Sequence, residues 1–348
     1  MRIYPDNEKI LYSGRIDFSN PKEPVFVYPA TFAKMRFTGN TFKVFIRNHN
    51  EYWDNYLGYI LDGKQEKLLL PKSGDAVFNI KAEPNDTDCH DIMIFKRQDS
   101  CHEMGFLGAE LDENGLLLDV PCLPSRKIEV YGDSVSAGEV SEAVEYTGKA
   151  DPQHSGEYSN SWYSYAWMTA RKLNAQLHDV AQGGIALMDN TGWFKEPHQI
   201  GMETAWDKIN YNPYFGKFTE WDFSKYTPQV VIVAIAQNDN HPVDFMKEDY
   251  NSPMSLKWRN HYKELIKKIR SKYPEAAIVC ITTLLQHDRS WDKAIAQVVS
   301  ELGDEKITQC IFKRNASATP GHLRVAEAEE MSDELAAYIK SLHIEGWE

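Results

Sequence analysis

A chain of 348 residues is long enough for roughly two domains, each burying a core of its own. Its formal net charge of −13 and pI near 5.4 leave no broad basic surface, so nucleic acid or an anionic bilayer would be repelled on approach. No nucleic-acid or membrane partner is therefore expected, and a neutral substrate suits this surface.

The opening stretch, MRIYPDNEKILYSG, lacks the cationic start, apolar core and small-residue cleavage site of a secretory signal. No apolar run reaches the roughly 18 residues of a membrane span. Both features predict a soluble, cytoplasmic protein. Cys89, Cys101, Cys122, Cys280 and Cys310 are scattered and form no CxxC pair, which predicts reduced thiols rather than a disulfide framework or a zinc knuckle.

From Lys9 to about Val120 the texture is short and β-like. VFVYP, FKVFIRN, YLGYILDG, AVFNIKA and DIMIFKR are separated by Gly, Pro, Asn and Asp turn signals. This pattern predicts an all-β sandwich or jelly roll over residues 1–122. After VPCLPSRK the texture changes, and the boundary falls near Leu123 to Arg126. IEVYGDS, AQLHDVAQGG, VVIVAIAQND and AAIVCITTL read as apolar strands, and helical patterns such as SWYSYAWMTARKLNA and WRNHYKELIKKIRSKYP lie between them. Alternating strand and helix predicts, for residues 123–348, an α/β domain with a parallel sheet covered by helices on both faces.

Four segments of that second domain end strands or begin helices with residues that carry chemistry. In IEVYGDSVSAG a buried strand ends at Gly132 and a helix begins just after, so Ser134 stands where open α/β sheets bind ligands and where a helix N-terminus offers N–H groups to an oxyanion. Its bland reading is a turn and N-cap. The GxSxG elbow is not met, because Ser136 replaces the second glycine. In DVAQGGIAL a glycine, Gly183 or Gly184, can bring its N–H to a developing oxyanion without a side chain in the way. In VVIVAIAQNDNHP the side-chain amide of Asn238 leaves the end of a central strand, placed either to donate to an oxyanion or to stabilise the turn. His241 lies nearby, but no metal-ligand spacing surrounds it. In ATPGHLRVAEAEEMSDELAAYIK, His322 precedes an amphipathic helix and is suited to act as a general base for a serine hydroxyl.

The chain order of GDSVS, GGIA, QND and PGH resembles that of the SGNH (GDSL-type) hydrolases. The resemblance implies Ser134 as nucleophile, the Ser134 and Gly184 N–H groups with the Asn238 amide as oxyanion hole, and His322 as general base. ILYSGRIDF, FKRQDS, RKIEVYGDS and WDFSKYTPQVVIV extend it to carbohydrate esterase family 2, whose members join a jelly roll to a flavodoxin-like three-layer α/β/α SGNH domain. That family implies a serine acetylesterase without cofactor or metal, acting on acetylated oligosaccharide or polysaccharide of xylan or mannan type. Thr319 stands where SGNH proteins commonly carry an Asp three residues before the base. The resemblance therefore implies a Ser134–His322 dyad oriented by a main-chain carbonyl, with Asp288, Asp292 and Asp304 as distant substitutes. Ala236 replaces a glycine usual in the third block. Among Trp162, Trp193, Trp206, Trp221, Trp258 and Trp291, core packing is the ordinary fate of each. Trp193, with Phe194, is the expected sugar-stacking position because its loop starts at Gly184. An esterase or acyltransferase for another acyl ester, and a non-catalytic carbohydrate-binding protein, are the competing readings.

Overall fold

The computed structural model describes residues 1–84 and 88–347. In the first domain apolar and polar residues alternate, so one face of each strand is buried and the other open. Along β1 (Phe32–Phe37) and β2 (Thr41–Asn50) buried and half-buried side chains follow one another almost without a break. Five further strands follow: β3 (Tyr56–Leu61), β4 (Lys64–Leu69), β5 (Ser73–Lys81), β6 (His90–Lys96) and β7 (His102–Leu111). They pair antiparallel in two sheets, β7-β2-β5 and β1-β6-β3-β4, each extended by short strands. Met35, Phe37, Phe42, Val44, Ile92, Ile94 and Phe106 fill the space between the sheets. The result is a jelly-roll-like sandwich.

The second domain holds five parallel strands, β8 (Arg126–Gly132), β9 (Ala175–Ala181), β10 (Val230–Ala234), β11 (Ala277–Cys280) and β12 (Ile307–Gln309). Their order is β9-β8-β10-β11-β12, the flavodoxin-like arrangement of the SGNH fold. The main helices are α1 (Ser134–Ala137), α2 (Tyr165–Lys172), α3 (Pro253–Lys272), α4 (Arg289–Leu302) and α5 (Val325–Ser341). Residues of α2 and α5 pack on one face of the sheet with Ile128, Val130 and Ile232, and residues of α3 and α4 pack on the other with Tyr131, Val231 and Val233. Covered on both faces, all five residues of β10 are buried and the strand reads as a continuous apolar run. The strand order reverses between β8 and β10, and ligands bind beyond the carboxyl ends of such strands at the reversal. Among the described residues no helix is long and apolar enough to cross a membrane.

The domains are joined by buried polar contacts. Arg15 of the sandwich donates to Glu129 of β8 at 3.0 and 3.1 Å, to the Tyr131 hydroxyl at 2.9 Å and to the Trp206 carbonyl at 2.6 Å. Both members of this ion pair have fully buried side chains. The β6–β7 turn makes a second junction: Ser161 N donates to the Arg97 carbonyl at 2.9 Å, and Asn212 donates to the Ser100 carbonyl at 3.0 Å.

Candidate active site

The site is built at the carboxyl ends of β9, β8 and β10, which lie side by side with Gly132 in register with both Ala181 and Ala234. Asp133 caps α1, its Oδ1 accepting the Val135 N–H at 2.9 Å. Ser134 therefore occupies the first helical position, where the N–H has no intrahelical partner, and it meets no acceptor among the described residues. The serine is 7% exposed, enough to meet a small acyl group at the surface.

Beyond β9 the chain turns through Gly183 and Gly184, which differ in what their N–H groups do. The Gly183 N–H is consumed by Asp99 Oδ2 at 2.6 Å. The Gly184 N–H meets no acceptor among the described residues, and Gly184 sits at φ 73°, a conformation that glycine adopts at no steric cost. Beyond β10, Asn238 donates to the Ile185 carbonyl at 3.1 Å and lies 3.5 Å from Asp133 Oδ2, so its amide bridges the other two loops. The next residue, Asp239, accepts from Leu187 N at 2.9 Å and from Trp258 Nε1 at 2.7 Å, tying the loop after β9 to α3. Ala236, the departure in this block, carries φ 151°, a backbone state that favours the glycine it replaces.

His322 stands two residues before Arg324, the N-cap of α5. Asp151 orients it. Oδ2 meets His322 Nδ1 at 2.6 Å, and Oδ1 accepts the His322 N–H at 2.9 Å and Arg324 Nη2 at 2.8 Å. This corrects the expected dyad: a carboxylate, not a main-chain carbonyl, bonds the imidazole. Nor do the three named substitutes reach it. Asp288 caps α4, Asp292 binds Thr282 and Asn315, and Asp304 takes Arg270. Thr319 is buried and its hydroxyl reaches the Lys149 carbonyl at 3.5 Å, beside the loop that carries Asp151.

The other imidazole nitrogen lies beside Glu139, just past the end of α1. Glu139, whose N–H bonds the Ser134 carbonyl at 3.0 Å, sets its carboxylate 3.7 Å from His322 Nε2. Burial lowers the His322 pKa, but the Asp151 hydrogen bond and the charges of Glu139, Asp151 and Asp133 outweigh it, leaving the group above its ordinary value. Asp133 is itself pushed up to about 7 by burial. A general base must be neutral, so the acidic limb of kcat/KM against pH is expected to have its midpoint above the ordinary imidazole value of about 6.5. A midpoint at or below that value would mean that burial prevails over the three carboxylates.

Of the aromatic candidates, Trp193 is 54% exposed and stacks on His241 with ring centroids 3.3 Å apart. His241 in turn contacts Glu196 at 2.9 Å. Phe194 is corrected: only 4% exposed, it packs on Tyr211 in the core and cannot stack on a sugar. Both residues donate N–H groups to the Gly184 carbonyl, at 2.8 and 3.1 Å, at the start of a turn that sends Trp193 outward and Phe194 into the core. Trp206, Trp221, Trp258 and Trp291 are buried in the core, and Trp162 lies under Arg171 at 3.8 Å. The sandwich contributes a residue that sequence reasoning missed. Trp53, 41% exposed, lies 4.4 Å from the ring of His154, which approaches Glu139 Oε2 at 3.5 Å. No local pattern marks it; only the packing of the domains brings it to this rim. Among the described residues no group of three or more His, Cys, Asp and Glu side chains is placed to hold a metal ion. A cavity of about 700 Å³ opens at the other end of the sheet, where the chain enters β10, β11 and β12, between Thr227, Tyr273 and Ile344, and contains none of these groups.

Residues 12–121 match the family model described as carbohydrate esterase 2 N-terminal. The chain is 31% identical over 350 residues to cellulase/esterase CelE of Acetivibrio thermocellus, covering 97% of its own length and 40% of that protein. It is 23% identical to an acetylxylan esterase / glucomannan deacetylase of Cellvibrio japonicus, covering 98% of its own length and 88% of that protein. Among solved structures, a family two carbohydrate esterase from Clostridium thermocellum in complex with cellohexaose superposes with a TM-score of 0.80 at 28% identity, over 97% of this chain and all of that one.

Proposed function

We propose, on the premise that this chain belongs to carbohydrate esterase family 2, that it is a serine O-acetylesterase removing acetyl groups from xylan- or mannan-type saccharides. The observation that carries the reading is one arrangement: His322 held by Asp151 beside α1, with unpaired N–H groups at Ser134 and Gly184 flanking the Asn238 amide. An acylated serine needs a base on one side and oxyanion donors on the other.

In this mechanism His322 Nε2 takes the Ser134 proton as Oγ bonds to the acetyl carbonyl carbon, and Asp151 stabilises the imidazolium. The carbonyl oxygen, now negative, lies against the Ser134 and Gly184 N–H groups. The Asn238 amide keeps its bond to the Ile185 carbonyl, and its other hydrogen, held only by the 3.5 Å approach of the nitrogen to Asp133 Oδ2, turns to the oxyanion. The bond to the sugar oxygen breaks, and His322 returns its proton to that oxygen. Water, deprotonated by the same imidazole, then attacks the acetyl-serine, releasing acetate and restoring the serine. All the proton transfers run through one imidazole, so no cofactor is called on. Trp193, exposed beside Gly184, offers a face on which a sugar ring stacks.

The names of two relatives, acetylxylan esterase / glucomannan deacetylase and cellulase/esterase, and the cellohexaose in the Clostridium structure support a saccharide substrate. The test is acetate release from defined acetylated xylo- and manno-oligosaccharides, resolved by hydroxyl position, with Ser134→Ala as the blank. Release by wild type, and faster turnover of acetyl than of butyryl or longer esters, is expected. A preference for long chains would remove the acetyl assignment.

A further inference from the structure

The loop that carries Gly184 in the second domain is bonded by a side chain of the first. Asp99 belongs to the sandwich, in the turn between β6 and β7, and its side chain is buried. Its Oδ1 closes that turn by accepting the Cys101 N–H at 3.1 Å. Its Oδ2 leaves the sandwich altogether, accepting the Gly183 N–H at 2.6 Å and Gln182 Nε2 at 2.7 Å. Burying a carboxylate is costly unless it is fully hydrogen-bonded. This one is, and two of its bonds go to the loop that presents Gly184.

What those bonds fix is the direction of one peptide plane. Gln182 uses its second amide hydrogen on the Gly183 carbonyl, at 3.0 Å. That carbonyl and the Gly184 N–H belong to the same trans peptide unit, so they point in opposite directions. Clamping the carbonyl toward Gln182 therefore aims the Gly184 N–H away from it. Gln182 is itself immobilised, its Oε1 bonded by the Tyr211 hydroxyl at 2.8 Å and by the Ser100 hydroxyl of the sandwich. The Asp99 turn is equally rigid: the buried Lys96 ammonium bonds the carbonyls of Gln98, at 2.6 Å, and Asp99. Glu139 packs against the same spot, and a Cβ on Gly183 would lie 1.9 Å from its Oε1 and 2.6 Å from Asp99 Oδ2, so only glycine fits there.

We propose that Asp99, acting through Gln182 and the Gly183 N–H, is the positioning residue for the Gly184 oxyanion donor, so that the β-sandwich completes the catalytic site. The inference rests on the esterase reading above. Asp99 does not touch the reacting atoms. A donor aimed at the oxyanion matters in the transition state and little in substrate binding, so its misalignment falls on kcat rather than on KM.

The test uses the full chain with 4-nitrophenyl acetate. Asp99→Asn keeps the shape but sets an amide hydrogen against either the Cys101 or the Gly183 N–H. It is expected to lower kcat by about 10- to 100-fold, somewhat less than outright loss of an oxyanion donor, with KM within about twofold. Binding of methylboronic acid, whose tetrahedral adduct on Ser134 places an oxygen in the hole, should weaken in parallel, while binding of the acetate product should not. Gln182→Met, which frees the Gly183 carbonyl but leaves Asp99 in place, is the second variant and should show the same split even where Asp99→Asn fails to fold. Tyr226→Phe, which removes a buried hydrogen bond to the Ile128 carbonyl toward the amino end of β8, should lower the melting temperature with kcat unchanged. If both loop variants keep wild-type kcat, or lose kcat and KM together with boronate binding intact, the role is overturned while the esterase reading stands. A wild type no faster than Ser134→Ala would instead remove the esterase reading itself, and this role with it.

Discussion

Replacing Asp151 with asparagine is expected to lower kcat by about 10⁴ while leaving KM close to wild type. The carboxylate accepts from His322 Nδ1 at 2.6 Å, which leaves the lone pair on Nε2, the nitrogen beside Glu139. An asparagine amide can donate to Nδ1 instead, moving the proton to Nε2 and turning the base into a donor. Asparagine is the right variant because Arg324, buried and bonded to Asp151 Oδ1 at 2.8 Å, would be stranded by alanine. The imidazole holds Asp151 well below the usual carboxylate range, against the opposing effect of burial, so the acid stays ionised throughout the working pH range. Steady-state kinetics beside a thermal melt check the result. A loss of less than about tenfold in a folded variant would mean that Asp151 does not orient the base, and would return the main-chain carbonyl to consideration.

The second large effect is on stability. Arg15→Met is expected to destabilise the protein by about 3–5 kcal/mol, because Glu129 would remain as a buried carboxylate without its counter-charge. The Trp206 carbonyl, which takes Arg15 Nη1 at 2.6 Å, would lose a donor as well. Paired removal should be milder: Arg15→Met with Glu129→Leu replaces both charges by apolar groups and is expected to recover much of the loss. Urea unfolding of the single and double variants measures this. A single variant within about 1 kcal/mol of wild type would show that the ion pair does not hold the domains.

Both residues bear on what could be read from the chain. The two fold classes were legible because each follows from a local pattern: short β-like runs bounded by turn residues, such as FKVFIRN within Thr41–Asn50, and apolar runs alternating with helical patterns, such as Val230–Ala234. Ser134, Asn238 and His322 stood out because each ends a strand or precedes a helix, while the choice of Gly184 over Gly183, and the joint role of the four, came from the resemblance of their motifs and chain order. Asp151 was not, since it lies 171 residues from His322 in a loop without periodicity, and the contact depends on how that loop crosses the start of α5. Phe194 was expected beside Trp193 at the sugar because their shared loop, flanked by glycine and proline, starts at Gly184. Two N–H groups converging on one carbonyl, which turn it inward, have no sequence signature. Arg15 and Asp99 sit in stretches that carry the family likeness, ILYSGRIDF and FKRQDS, yet nothing local shows that both side chains cross to the other domain. The parts set by local chain chemistry were visible, and the parts set by domain packing were not.

The most direct measurement of the central claim is turnover of 4-nitrophenyl acetate by the purified wild-type chain beside Ser134→Ala. The account predicts hydrolysis by wild type through an acetyl group carried on Ser134, detectable as a mass increase on rapid acid quench, and neither signal from the variant. Equal rates in the two proteins would contradict it.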